Sequence, residues 1–324
     1  MKLFALSESH YFGEKVAQQL GVPLAIHEER DFEDGEHKTR PLESVRDDDV
    51  FVVQSLHGGP DFSPNDKLCR LLFFLATARE HGARRVFAVV PYLAYARKDR
   101  QTKTRDPVTT RYMAQLIEAV GVDAMVTLDV HNIVAFQNAH RCQTVHLDTR
   151  TLFASRAAEL VSNEDVVVAS PDPGGVKRVQ LFRETLEAML ERPVGSAYME
   201  KRRSAGQVSG SQLVGDLESA TVIIVDDLIS SGGTIVRAAK ACQEHGAKNV
   251  YAFAAHGLFV GDAARALEHD CITRIITTDT VPPFRLGPII PDRIEVVSAA
   301  PVFADAIRRL HTGGSLVSLL AWPE

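Results

Sequence analysis

Continuous runs of β-branched and other apolar residues recur along the chain: 50–53, 86–90, 125–128, 166–168, 222–225, 250–253 and 275–276. Because they do not alternate with polar residues, they predict strands buried on both faces. Between them, 66–82, 108–120, 175–191 and 233–246 place apolar residues three and four apart, which predicts helices. Three of these patterns end at Gly82, Gly121 and Gly246, the residue type that accepts a left-handed helix cap. Strand alternating with helix predicts an α/β fold of mainly parallel sheets flanked by helices.

The second half of the chain repeats the rhythm of the first. Each half has a helical pattern ending in His-Gly-Ala, at His81-Gly82-Ala83 and His245-Gly246-Ala247, followed by a strand run. A length of 324 residues accommodates about two domains, and the boundary is expected near 148–150. The glycine- and serine-rich segment Gly206–Gly215 reads as a mobile loop within the second domain.

Composition narrows the function classes. Hydrophobic residues make up 45% and charged residues 24%, the balance of a folded globular chain. No apolar run reaches the ~20 residues of a membrane span. The amino terminus meets Glu8 before a signal-peptide core could form, so a cytoplasmic location is expected. Cysteines at 69, 142, 242 and 271 form no close pair, which argues against a CxxC redox site or zinc knuckle. A net charge of −6 gives no general attraction to nucleic acid or an anionic membrane, and neither is expected as a partner. The charge is uneven, however. Residues 84–111 hold eight Lys/Arg against Asp99 and Asp106, so 8 − 2 leaves a +6 island suited to a local anion.

The most informative run is Val222-Ile223-Ile224-Val225-Asp226-Asp227-Leu228-Ile229-Ser230-Ser231-Gly232-Gly233-Thr234. An apolar strand carries two carboxylates at its end, and a small turn then feeds a helix amino terminus. At this edge of an open parallel sheet, backbone N–H groups and the helix dipole can hold a phosphate, with Ser230, Ser231 and Thr234 adding hydroxyl donors. Gly232 and Gly233 let the backbone come close. Asp226 and Asp227 would repel phosphate but can accept from sugar hydroxyls beside it. A phosphorylated pentose combines both features. The chain has no Gly-Lys-Ser/Thr of a P-loop kinase and no GxGxxG dinucleotide fingerprint.

Six motifs in order resemble the ribose-phosphate pyrophosphokinase (phosphoribosyl pyrophosphate synthetase) family. They are Phe32-Glu33-Asp34-Gly35-Glu36, Pro91 to Arg100, Leu128-Asp129-Val130-His131, Ser170-Pro171-Asp172-Pro173-Gly174-Gly175, Lys201-Arg202-Arg203, and Asp226 to Thr234. The resemblance implies two phosphoribosyltransferase-like α/β domains: 1–148, completed by 303–324, and 149–302, which carries the ribose 5-phosphate loop. It also implies a reaction that moves the diphosphoryl group of MgATP to the 1-hydroxyl of ribose 5-phosphate, releasing AMP.

The resemblance assigns roles as well. Arg97, Lys98 and Arg100 are expected to meet the charge of ATP, and Phe32, Asp34 and Glu36 its adenine. In the family that adenine loop reaches across from a neighbouring subunit, so a homo-oligomer, dimer or hexamer, is expected. His131 and Asp172 are expected at Mg²⁺, with Asp172 the better match to an ion that prefers oxygen. Lys201 and Arg203 are the expected catalytic cations, and Asp226, Asp227, Ser230, Ser231, Gly232, Gly233 and Thr234 the ribose 5-phosphate site. Lys98, Pro173 and Ser230 depart from the usual glutamine, histidine and acid. Two other readings stand beside this one: a type I phosphoribosyltransferase, which shares the Asp-Asp loop, and a non-catalytic regulatory relative.

Overall fold

The computed structural model describes residues 1–161, 164–204, 207–287 and 291–320, with side chains left out at 200–204, 207–212, 291, 318 and 320. The chain divides into two compact units, Met1–Asp148 with Ala299–Pro323, and Thr149–Ser298.

The first unit runs β1 (Lys2–Ala5), α1 (His10–Leu20), β2 (His27–Asp31), β3 (His37–Pro41), β4 (Asp49–Val53), α2 (Pro64–Glu80), β5 (Arg85–Val90), α3 (Thr109–Ala119), β6 (Ala124–Leu128), α4 (Ile133–Ala139) and β7 (Gln143–Leu147). Its five-stranded sheet, in the order β1-β4-β5-β6-β7, is wholly parallel. β2 and β3 form a separate antiparallel hairpin. α2 starts cleanly because Ser63 and Asp66 make a reciprocal capping box with Pro64 at the first turn.

The second unit runs α5 (Arg150–Val161), β8 (Val166–Ser170), α6 (Val176–Leu190), β9 (Gly195–Ser204), β10 (Gln207–Val214), β11 (Thr221–Ile229), α7 (Gly233–Glu244), β12 (Asn249–Gly257), α8 (Ala263–Leu267), β13 (Arg274–Thr278) and β14 (Ile294–Val297). Its sheet order is β10-β9-β8-β11-β12-β13-β14, parallel except at the β9–β10 edge. The α/β fold with mainly parallel sheets therefore holds in both units.

Two local expectations change. Gly206 lies outside the described residues, but 207–214 is strand β10 rather than a loop. It pairs with β9, and its Leu213, opposite Met199, joins the buried core. β11 also runs on through Asp226 and Asp227 to Ile229, because β12 stays paired with it as far as Ile229↔Gly257.

The chain ends with α9 (Ala300–Thr312) and α10 (Val317–Leu320), both in the first unit. α9 lays Phe303, Ala304 and Ile307 into a core shared with Phe12 and Val16 of α1 and with Phe51, Val53, Phe87 and Val126 of the sheet. α2 covers the opposite face, its Phe74 ring 5.0 Å from that of Phe4. The one carboxylate buried in β4, Asp49, accepts from Arg84, Arg85 and His311. Burial alone would raise its pKa, but hydrogen bonds from Arg85, His311 and Arg84 hold it well below the usual carboxylate range.

Phe303 is fully buried and meets Phe12 edge-on at 5.3 Å. Phe303→Ala should cost about 3–5 kcal/mol in urea unfolding, the range for a fully buried phenylalanine. A loss under about 1 kcal/mol would show that α9 is not part of the core.

Candidate active site

In the second unit, β8 crosses through α6 to β9 on one side, while β11 crosses through α7 to β12 on the other. β8 and β11 are neighbours, so the sheet changes direction between them. That is the position where open α/β sheets bind ligands beyond their carboxyl ends. Pairing of β11 with β8 stops at Ile224↔Ala169, whereas pairing with β12 continues. Asp226 and Asp227 thus extend past their last β8 partner. Asp227 is 4% exposed, and its N–H donates to Asp226 Oδ1 at 2.9 Å. Burial, then the charge of Asp227, pushes the Asp226 carboxyl well above its ordinary pKa.

The turn after β11 is held from behind. Leu258 N–H and Phe259 N–H donate to Ile229 O, and Val260 N–H donates to Ser230 O. Gly232 adopts φ +79°, and a Cβ there would stand 3.0 Å from Leu267, so glycine is required. α7 then opens at Gly233 with Ser231, Gly233 and Thr234 exposed. Its first N–H groups have no preceding helical carbonyl, an arrangement suited to an anion.

Asp172 follows β8 and caps the next turn: its Oδ1 accepts from Gly174 N–H at 2.8 Å and Gly175 N–H at 3.2 Å. These bonds leave Oδ2 out. A Cβ on Gly175 would come 2.6 Å from Ser170 Oγ, so the start of α6 is fixed against β8. From the first turn of α6, Arg178 Nη1 lies 3.5 Å from Oδ1 of both Asp226 and Asp227. Sequence reasoning passed over Arg178. Its available signal was its place in the helical turn that directly follows Asp172-Pro173-Gly174-Gly175.

Lys201 and Arg203 lie on β9, their backbone paired with Ser211 and Val208 of β10. Their side chains are outside the described residues.

In the first unit, the basic loop follows β5 and His131 follows β6, on adjacent strands. Asn132 Nδ2 donates to Asp99 Oδ2 at 2.6 Å, tying the two loops together. Arg97, Arg100 and His131 are exposed. Lys98 Nζ pairs with Asp106 and donates to Thr102 Oγ1 at 2.8 Å. The hydrogen bond from Lys98 leads those that hold Asp106 well below the usual carboxylate range.

Phe32, Asp34 and Glu36 occupy the exposed turn of the β2–β3 hairpin, with Arg30 Cζ 5.2 Å from the Phe32 ring. The hairpin is anchored to α2 by Arg70, which pairs with Asp31, approaches Glu29 at 3.7 Å and lies 4.3 Å from the Phe62 ring. Among the described residues, no hydrogen bond or ion pair connects this turn with the Arg97–Arg100 loop. No group of three or more His, Cys, Asp or Glu is gathered for a metal among the described residues.

Residues 1–121 match the family model for the N-terminal domain of ribose phosphate pyrophosphokinase, and 196–321 match the phosphoribosyl synthetase-associated domain. The chain is 38% identical over 320 residues to ribose-phosphate pyrophosphokinase of Caldanaerobacter subterraneus subsp. tengcongensis, covering 98% of this chain and 97% of that one. It is 36% identical to ribose-phosphate pyrophosphokinase of Clostridium tetani, covering 96% and 94%. Phosphoribosylpyrophosphate synthetase from Mycobacterium smegmatis superposes with a TM-score of 0.86 at 32% identity, covering 97% of this chain and 99% of that one. With both family models matched in order and relatives above 30% identity aligned along nearly its whole length, the chain belongs to the ribose-phosphate pyrophosphokinase family.

Proposed function

We propose that this chain transfers the diphosphoryl group of ATP to the 1-hydroxyl of ribose 5-phosphate, giving 5-phosphoribosyl 1-diphosphate and AMP. The observation that carries the proposal is the second unit's switch point, where a carboxylate pair and a helix amino terminus follow each other on one strand and its turn. The 5-phosphate would sit against Ser230, Ser231, Gly232, Gly233 and Thr234, and the ring hydroxyls against Asp226 and Asp227. A type I phosphoribosyltransferase would use the same motif, but relatives of that kind do not account for the N-terminal family match at 1–121.

In the reaction, the anomeric oxygen bonds to the β-phosphorus, its proton leaves, and the bond from that phosphorus to the α–β bridging oxygen breaks to release AMP. Such a transfer asks for positioning and charge neutralisation rather than covalent catalysis. Lys201 and Arg203 would supply the cations nearest the transferred group. Arg97 and Arg100 present exposed charge for the nucleotide. Lys98, held by Asp106, would act by fixing the shape of their loop. Phe32 would stack on adenine, with Asp34 and Glu36 accepting from its exocyclic amine. In a homo-oligomer this exposed turn would serve the nucleotide of a neighbouring copy.

The donor set suits Mg²⁺ brought in by the nucleotide. Asp172 Oδ2 is a hard oxygen ligand outside the turn's hydrogen bonds, and no self-sufficient metal cluster competes with it among the described residues. His131, exposed after β6 in the first unit, is the weaker candidate for such an ion, which prefers oxygen ligands. Bound there, Mg²⁺ would offset charge on the phosphoryl oxygens. No helix among the described residues is long and apolar enough to cross a membrane, and cytoplasmic residence fits a consumer of ATP and ribose 5-phosphate.

AMP release from MgATP that depends on ribose 5-phosphate, with no nucleobase present, tests this reading. A nucleobase requirement would favour the phosphoribosyltransferase, and binding without AMP release the regulatory relative. Asp227→Ala should raise KM for ribose 5-phosphate at least about tenfold, the equivalent of one charged hydrogen bond. An unaltered sugar dependence would refute the assignment of the hydroxyls to this pair.

A further inference from the structure

We propose that Arg178 is a positioning residue for the sugar site, setting the spacing of Asp226 and Asp227 so that the pair presents acceptors to two adjacent ring hydroxyls. This rests on the reading above that these carboxylates hold the pentose.

The geometry carries the inference. Arg178 Nη1 stands 3.5 Å from Oδ1 of each carboxylate, close enough for ion pairing and longer than the ~2.9 Å of a full N–H···O hydrogen bond. The guanidinium therefore offsets charge on both carboxylates while standing beyond full hydrogen-bond distance of either. A second consequence concerns the pair itself. Asp226 and Asp227 are adjacent, joined by the Asp227 N–H bond, and Asp227 is 4% exposed. Arg178 lessens the repulsion within a pair whose Asp226 carboxyl still stays above its ordinary pKa, and it holds both Oδ1 atoms against one cation.

Arg178 is also held rigidly enough for the task. It lies on the first turn of α6, whose start is fixed by Gly175 packing on Ser170 Oγ and by the Asp172 cap. Arginine suits the position because its charge is permanent and its planar head can face two carboxylates at once. The carboxylates come from β11 and the cation from the helix after β8, so the two sides of the switch point are joined by charge.

Steady-state kinetics on Arg178→Gln, Arg178→Lys and Asp227→Ala, each checked for a wild-type thermal transition, tests this. Arg178→Gln should raise KM for ribose 5-phosphate about tenfold, with KM for ATP and kcat at saturating sugar within about twofold of wild type, the pattern of lost ground-state binding. Arg178→Lys should recover most of the loss. If Arg178→Gln does not fold, Arg178→Lys carries the test, with a rise of about threefold in sugar KM alone. An unchanged sugar KM in Arg178→Gln, or a defect confined to ATP KM or kcat, would overturn the inference and assign Arg178 to the diphosphate instead. Asp227→Ala separates the two levels. If it raises sugar KM and Arg178→Gln does not, only the role of Arg178 fails; if neither does, the sugar reading fails with it.

Discussion

Lys201→Ala is expected to lower kcat by about a thousandfold while leaving the dissociation constant for ATP within about threefold, because its cation acts on charge that develops during transfer. The diphosphoryl group changes partners while carrying several negative charges, and the departing AMP gains one. A cation placed there stabilises the transition state far more than bound ATP. Lys201 sits on β9, beside the edge strand β10 of the second unit's sheet, paired through its backbone with Ser211 of β10. Rapid-quench turnover beside equilibrium nucleotide binding separates the two quantities. A large loss of ATP affinity with turnover preserved would make Lys201 a binding residue.

Ser231→Asp should raise KM for ribose 5-phosphate by about a hundredfold or more, with ATP binding unaffected. Ser231 is exposed at the mouth of α7, beside N–H groups with no helical acceptor. A carboxylate there would occupy the dipole's positive end itself and repel the dianionic phosphate, so substrate pays twice. The same change should leave the thermal transition near wild type or slightly higher, because acids stabilise helix amino termini. Undiminished affinity for ribose 5-phosphate in titration calorimetry would rule out this turn as the phosphate cradle.

Much of the fold is legible because the central strands are buried on both faces. Runs such as Val50–Val53 and Val222–Val225 have one stable setting, the middle of a parallel sheet, and glycines mark where the intervening helices stop. The β2–β3 hairpin is not legible in this way. Its strands, His27–Asp31 and His37–Pro41, are mostly polar, and the hairpin is held by partners distant in the chain: Arg70 pairs with Asp31, His37 stacks on Phe73, and Glu29 accepts from Ser7. β10 was hidden by its glycine and serines, and only its pairing with β9 through Leu213 and Met199 reveals it.

The site divides similarly. Asp226 to Thr234 can be read directly, because the acids, turn and helix start follow one another in the chain. Arg178 cannot, because its meaning depends on β8 and β11 being neighbours although some 50 residues separate them. Nor can the pairing of Lys98 with Asp106 within its own loop. Local order along the chain is written in the sequence, whereas pairing across strands is a property of the sheet.

Phosphorus NMR of the purified protein with MgATP and ribose 5-phosphate is the most direct measurement. Growth of the two coupled resonances of a sugar diphosphate ester, in step with AMP and with no ADP, is the expected result. ADP with a new monophosphate ester, or an unchanged spectrum from folded protein, would contradict it.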